Sequence, residues 1–166
     1  MVDSSDVNKH HILVLGVGNP MKGDDGIGPY VAERVSALYA CCTAPGVAVV
    51  SAIDCGTVPE NFTSAIRRLQ PQLIVIVDAA QMGLQTGEYR IIAADRVGNL
   101  GLSTHSMPLS LFMTYVKGFA GAIVLIGVQP CSMDFGAGLS AAVRQAGDAL
   151  AQLLANDRIG DIKTLD

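Results

Sequence analysis

Three residues in this sequence carry the chemistry needed to hold a divalent cation while leaving coordination positions open. Asp25 lies in a loop after an apolar strand, Asp78 at the end of another, and His105 just before a helix that begins near Met107-Pro108. Two carboxylates and an imidazole together make a mixed oxygen and nitrogen donor set of that kind. The same residue types have a plainer use. An Asp at a strand end commonly turns the chain or caps a helix, its oxygens accepting from loose backbone N–H groups, and residue type alone leaves both readings open. His10 and His11 precede the first strand, in an arm expected to be exposed and structural.

The elements that must position these residues are legible in the hydrophobic periodicity. Ile12 to Leu15 is a continuous β-branched and apolar run of the kind found in strands buried on both faces. The turn residues Gly18 to Gly23 follow, and only after Asp25-Gly26 do Ile27, Val31, Val35 and Leu38 recur at helical spacing. A second strand, Val47 to Ile53, leads through Asp54-Cys55-Gly56-Thr57 to a helix marked by Phe62, Ala65, Ile66 and Leu69, with Pro59 suited to its first turn.

A third strand, Leu73 to Val77, ends in Asp78, and a turn over Gly83 to Gly87 precedes a short alternating strand at Tyr89 to Ile92. Leu109, Phe112, Met113 and Val116 mark the next helix, and Ala122 to Val128 the last strand. Leu139, Ala142, Val143, Ala146, Leu150, Leu153 and Leu154 mark the closing helix. This alternation predicts an α/β fold: three α/β/α layers around a mostly parallel, twisted sheet of five strands, in one domain spanning 1–166. Ligands in such sheets bind beyond the C-terminal strand ends, where the strand order reverses. The loop bearing Asp25 and the strand bearing Asp78 flank that point if the order is flavodoxin-like.

Composition narrows the function classes. The 166 residues are 50% hydrophobic and 16% charged, enough for one sizeable core, and the net charge of −4 with scattered Lys and Arg offers no footprint for nucleic acid or an anionic membrane. The polar, acidic start and the short apolar runs predict a soluble, cytoplasmic protein. Cys41, Cys42, Cys55 and Cys131 lack Cys-x-x-Cys spacing and read as buried or idle reduced thiols.

Rival signatures fail. Gly16-x-Gly18-x-x-Met21 resembles the start of a dinucleotide fingerprint. Its third Gly is missing, Pro20 and Gly23 delay the helix, and Asp54 lies well beyond the usual ~20-residue separation of the ribose-binding acid. Phosphate-loop, His-Glu-x-x-His and Gly-x-Ser-x-Gly motifs are all absent.

Gly16-Val17-Gly18-Asn19-Pro20 followed by Gly23-Asp24-Asp25-Gly26-Ile27-Gly28-Pro29 resembles the opening signature of the hydrogenase maturation endopeptidases. Asp54-Cys55-Gly56-Thr57, Val75-Ile76-Val77-Asp78-Ala79, Thr104-His105-Ser106-Met107-Pro108-Leu109 and Ile126-Gly127-Val128-Gln129-Pro130 resemble its later blocks, in order, over roughly residues 11 to 154. Pro59-Glu60-Asn61 and the block around His105 are most similar to the branch that processes formate-hydrogenlyase-type hydrogenases.

The resemblance implies a metal-dependent endopeptidase that removes a C-terminal extension from the large-subunit precursor of a nickel-iron hydrogenase after nickel insertion. It places the metal ligands, and through the metal the catalytic roles, on Asp25, Asp78 and His105. Asn19, Asp24, Asp54 and Gly56 are expected to shape the surrounding cleft, with a simple solvated acid as the alternative for Asp24. Cys55, where a second Gly is usual, is expected to narrow the cleft near Asp54. The nickel is expected to come with the substrate, other divalent ions being able to occupy the site in vitro. A noncatalytic nickel-sensing checkpoint or chaperone for the same precursor would use the same residues.

Overall fold

The structure, a computed structural model, describes residues 10–41, 48–102 and 107–166. It begins with β1 (His11–Val17), whose side chains alternate between two cores. Ile12 and Val14 pack with α1 (Ile27–Cys41) and α4 (Ala141–Ala155), while Leu13, Leu15 and Val17 pack with α2 (Thr63–Leu69) and α3 (Leu109–Val116). A strand with apolar residues of both parities therefore becomes the middle of three layers, as its unbroken apolar run requires.

The other strands are β2 (Val49–Gly56), β3 (Leu73–Gln81), β4 (Tyr89–Ile92), β5 (Gly101–Leu102) and β6 (Ala122–Val128). The sheet runs β2-β1-β3-β6-β4, parallel except for β4, and β5 pairs antiparallel with the end of β3. The expected mostly parallel sheet between two helical layers is what forms.

Several details depart from the periodicity. The second strand begins at Val49 and continues to Gly56, past the expected end at Ile53, while Val47 lies outside the described residues. The third strand continues past Asp78 to Gln81, because β6 stays paired with it to Ala79↔Val128 and β5 then takes over at Ala80 and Gln81. The short strand β4 does not pair with its sequence neighbour β3, whose two flanks are taken by β1 and β6, but runs antiparallel to β6 at the edge. Leu139 precedes α4, Ala142 is exposed, and the buried stripe is Val143, Ala146, Gly147, Leu150, Ala151 and Leu154. His11 is no exposed arm: it opens β1, its Nε2 lies 3.0 Å from Ser51 Oγ, and burial lowers its pKa.

The C-terminal residues protect the open edge at β4. Ile91 N–H donates to Lys163 O at 2.9 Å and Leu165 N–H donates to Ile91 O at 2.8 Å, so backbone groups that would template another chain are paired at home.

The contact that fixes α1 in place is made by backbone. A Cβ at Gly28 would lie 2.2 Å from Val17 O and 2.5 Å from Val77 O, and one at Gly16 would lie 2.1 Å from Gly28 O. Glycine at both positions lets the first turn of α1 press against β1 and β3 where they separate.

Gly28→Ala is expected to lower stability by about 1–3 kcal/mol, the usual cost of overpacking, because main chain cannot step aside as a side chain does. Leu150→Asp, at a position with no exposed surface, should unfold or aggregate the chain. Urea midpoints measure the first and soluble yield the second; a folded Leu150→Asp protein would mean that α4 is not a core helix.

Candidate active site

The site is built where β1 leaves the sheet. Pairing of β1 with β3 ends at Gly16↔Val77, whereas β3 and β6 remain paired through Asp78↔Gly127. Asp78 is therefore the first β3 residue beyond its last pairing with β1, in the crevice of the strand-order reversal. It is fully buried and lies inside β3, not at its end as the sequence suggests. It shares the parity of Ile74, Ile76 and Ala80, the residues of the α2–α3 core.

Asp25 reaches the same crevice through the 3-10 turn Gly23–Gly26, which packs against β3 directly before α1. Its Oδ2 accepts from Asn19 N–H at 2.9 Å, and Asn19 Oδ1 in turn accepts from Met21 N–H at 2.9 Å, an Asx turn that closes the loop. Asp25 is only 3% exposed, and its Oδ1 is buried with no hydrogen-bond partner among the described residues. An unsatisfied buried acceptor costs about 1–3 kcal/mol, more when charged, so such an atom calls for a functional explanation.

Asp24, one residue away, has the opposite fate. Its Oδ2 accepts from Cys131 N–H at 2.7 Å, Ser132 N–H at 3.2 Å and the Ser140 hydroxyl at 3.0 Å, and its Oδ1 accepts from Ser140 N–H at 2.7 Å. It is 1% exposed, so it is no solvated acid; it shapes the loop that leads into α4.

Asp54 lies two residues before the end of β2 and is exposed, its Oδ1 accepting from Gly56 N–H at 2.9 Å, while Gly56 O accepts from Gly18 N–H at 2.8 Å. This ties the β2 exit to the β1 exit. With Pro20, Gly26, Leu139 and Arg144, Asp54 lines an open cleft of about 280 Å³ beside the Asp25 turn.

Cys55 does not narrow that cleft. It packs into the α2–α3 core, where burial, followed by the nearby charges of Asp54 and Glu60, pushes its thiol up to about 12. Cys41 and Cys131, expected to be buried or idle, are free and exposed. The structure thus sets the Asp25 turn against β3, the strand that carries Asp78, with Asn19 and Asp24 in the same loop and Asp54 and Gly56 tied to it through Gly18. His105 lies outside the described residues. The described residues that bracket it, Leu102 and Met107, both pack against the α2–α3 core, on the face whose parity Asp78 shares.

Two contributors were given no role by the sequence, although Gln129 lies in one of its motif blocks. Gln129, buried at the exit of β6, accepts through Oε1 from Met82 N–H at 2.7 Å and Leu84 N–H at 3.3 Å, and donates through Nε2 to Gln81 Oε1 at 2.9 Å. The other is Ser140, whose hydroxyl goes to Asp24 instead of capping α4. A polar Gln directly after an apolar strand, inside a motif block, was the visible signal for the first; nothing local announced the second.

A sequence model of the family described as hydrogenase maturation protease matches residues 29–157. The hydrogenase 3 maturation protease of Escherichia coli K12 is 40% identical over 144 residues, covering 86% of this chain and 87% of that protein. The solution structure of the endopeptidase HycI from Escherichia coli superposes with a TM-score of 0.78 at 37% identity, over 94% of this chain and 97% of that one. The [NiFe] hydrogenase maturation protease HycI from Thermococcus kodakarensis KOD1 gives 0.73 at 36% identity, over 92% and 94%. Fold and relatives together define an α/β endopeptidase, with Asp78 at the strand-order reversal. The chain belongs to the hydrogenase maturation protease family, in the branch that its own motifs resemble.

The two neighbouring acids should separate in a stability measurement. Asp24→Ala strands several buried neutral donors, each left unsatisfied at about 1–3 kcal/mol, and should clearly lower stability. Asp25→Ala gives up one hydrogen bond and also an unsatisfied oxygen, so its unfolding free energy should stay within about 1 kcal/mol of wild type. In thiol labelling at pH 8, Cys41 and Cys131 should react and Cys55 should not until the chain unfolds, since the folded Cys55 thiol keeps its proton. A raised thiol pKa favours the fold below the ordinary value of 9.0, and that contribution is lost as pH rises from there toward 12.

Proposed function

We propose that this protease removes a C-terminal extension from the large-subunit precursor of a nickel-iron hydrogenase, and that Asp25, Asp78 and His105 engage the nickel which that precursor already carries. The observation that carries the reading is Asp25 Oδ1, a buried carboxylate oxygen with no partner among the described residues, at the crevice that also holds Asp78. An arriving cation would relieve its desolvation cost.

Two oxygen donors and one nitrogen fit nickel but do not select it, because divalent-ion affinity rises from nickel to copper and remains appreciable for zinc. Selectivity then comes from the precursor, whose own cysteinates hold the metal and complete one coordination sphere shared between two proteins. Nickel is in this sense substrate; other divalent ions can occupy the same donors in vitro.

For the hydrolysis itself, Asp24 is ruled out as a base by its four accepted hydrogen bonds. Asp25 and Asp78 are the other buried acids here, and in this reading one of them would take the proton of the attacking water through a carboxylate oxygen that the metal leaves open. Such chemistry would be of the aspartyl type. Cytoplasmic action belongs to the same proposal, and the free thiols Cys41, Cys55 and Cys131 suit a reducing compartment. Among the described residues no helix is long and apolar enough to cross a membrane.

Intact mass spectrometry of nickel-loaded precursor incubated with the purified chain tests the proposal. Loss of one C-terminal peptide is expected, whereas a stable complex of unchanged mass would identify a checkpoint or chaperone instead. Asp25→Ala, Asp78→Ala and His105→Ala should each abolish the mass loss while circular dichroism still reports a folded protein. Asp25→Glu, which keeps the charge and both oxygens, should retain measurable processing; activity as low as that of Asp25→Ala would argue against a ligand role at this position.

A further inference from the structure

Asp24 holds the loop Cys131–Ser140 at both ends. Its carboxylate accepts from Cys131 and Ser132 where the loop leaves β6 and from the backbone and hydroxyl of Ser140 where it enters α4. Two backbone bonds add to this: Asp24 N–H donates to Ser132 O at 2.8 Å, and Gly136 N–H donates to Met21 O at 2.9 Å. Gly23 adopts φ +54, where a side chain would be strained and a Cβ would lie 2.6 Å from Ser132 O. The loop is thus fastened along its length to residues 21–24, the stretch leading directly into Asp25.

The fastened loop presents apolar surface to solvent. Phe135 is 74% exposed and Met21 is 69% exposed, and the Lys22 ammonium lies 5.6 Å from the centre of the Phe135 ring. Large apolar side chains held on a rigid rim, next to a polar site, are the common anatomy of a protein-binding surface. A buried charge used only to fix a loop would be an expensive device, since a well-packed apolar substitute is often as stable. Its return here is geometric: one carboxylate sets the loop relative to the neighbouring ligand position.

We propose that Asp24 is a positioning residue for the proteolytic reaction, holding the Cys131–Ser140 loop against the Asp25 turn so that Phe135 and Met21 form a fixed apolar rim which docks the precursor protein beside the site. The inference rests on the precursor being the substrate, as proposed above. Asp24 itself touches no reacting atom and acts through the loop. Its removal therefore weakens docking first and disturbs the chemical step only as far as the Asp25 turn shifts with the released loop.

The test measures precursor processing at varied precursor concentration for wild type, Asp24→Asn, Phe135→Ala and the double variant. Phe135→Ala should raise KM about tenfold with kcat within about twofold, the behaviour of a truncated docking residue. Asp24→Asn, which turns an amide toward donors that need an acceptor, should also raise KM more than it lowers kcat. The double variant should be little worse than Asp24→Asn alone, because a released loop no longer presents its aromatic tip. An unchanged KM for Phe135→Ala, or a fall confined to kcat in either single variant, overturns the proposal.

Should Asp24→Asn fail to fold, Phe135→Ala still decides, since its exposed ring contributes little to the core. Precursor binding, measured by calorimetry on the same proteins, separates the two levels of the argument. Wild type that binds but does not cleave defeats the protease reading alone, whereas equal affinity of wild type and Phe135→Ala defeats the docking rim.

Discussion

The architecture of this protease depends on one close approach of backbone to backbone. The first turn of α1 lies against Val17 and Val77 with no room for a Cβ at residue 28, and that contact fixes how far the preceding turn can stand from the sheet. Asp25 sits three residues before the contact, and Asp78 is the next residue after Val77. A chain that packed α1 through ordinary side chains would hold the helix farther from the sheet and draw the two carboxylates apart. The glycines of the opening motif are therefore best understood as spacing devices for acids that lie distant in sequence.

The crevice so formed puts two adjacent aspartates to opposite uses. Asp24 is saturated with donors and stabilises a loop; Asp25 is buried, accepts one hydrogen bond on Oδ2, and keeps Oδ1 without a partner among the described residues. Evolution towards stability alone would not retain the second arrangement, because an unsatisfied buried oxygen is a standing cost. Under the proposal above, a site that takes up metal carried by another protein would need a buried acceptor without internal partners. The saturated neighbour makes this possible, since it secures the surrounding loops without drawing on Asp25.

The layered fold could be read from the sequence because its signals are local. Apolar residues of both parities in Ile12–Leu15 and Leu73–Val77 demand strands covered on both sides, and the spacing of Val143, Ala146 and Leu150 demands a helix packed on one face. Asp25 and Asp78 stood out for a comparable reason, as acids beside apolar strands. What stayed hidden depends on contacts far apart in sequence. The extension of β3 past Asp78 arises from pairing with Leu102 and Val128, and the role of Asp24 arises from Ser140, more than a hundred positions away. Cys55 shows the same limit: its place beside Asp54 suggests the cleft, but strand alternation turns it into the α2–α3 core. The short β4 reads from sequence only as one extra strand, and its place at the far edge is decided by pairing with the later β6.

If, as proposed, the cation engaged by this site arrives with the substrate, processing reports metal insertion. The most direct measurement strips the purified protease with a chelator, removes the chelator, and follows cleavage of nickel-loaded and nickel-free precursor side by side. The account predicts full activity of the stripped protease on the loaded precursor and none on the nickel-free one. Equal cleavage of both, or loss of activity on the loaded precursor that returns only when metal is added to the protease, would contradict it and point to a metal resident in this chain.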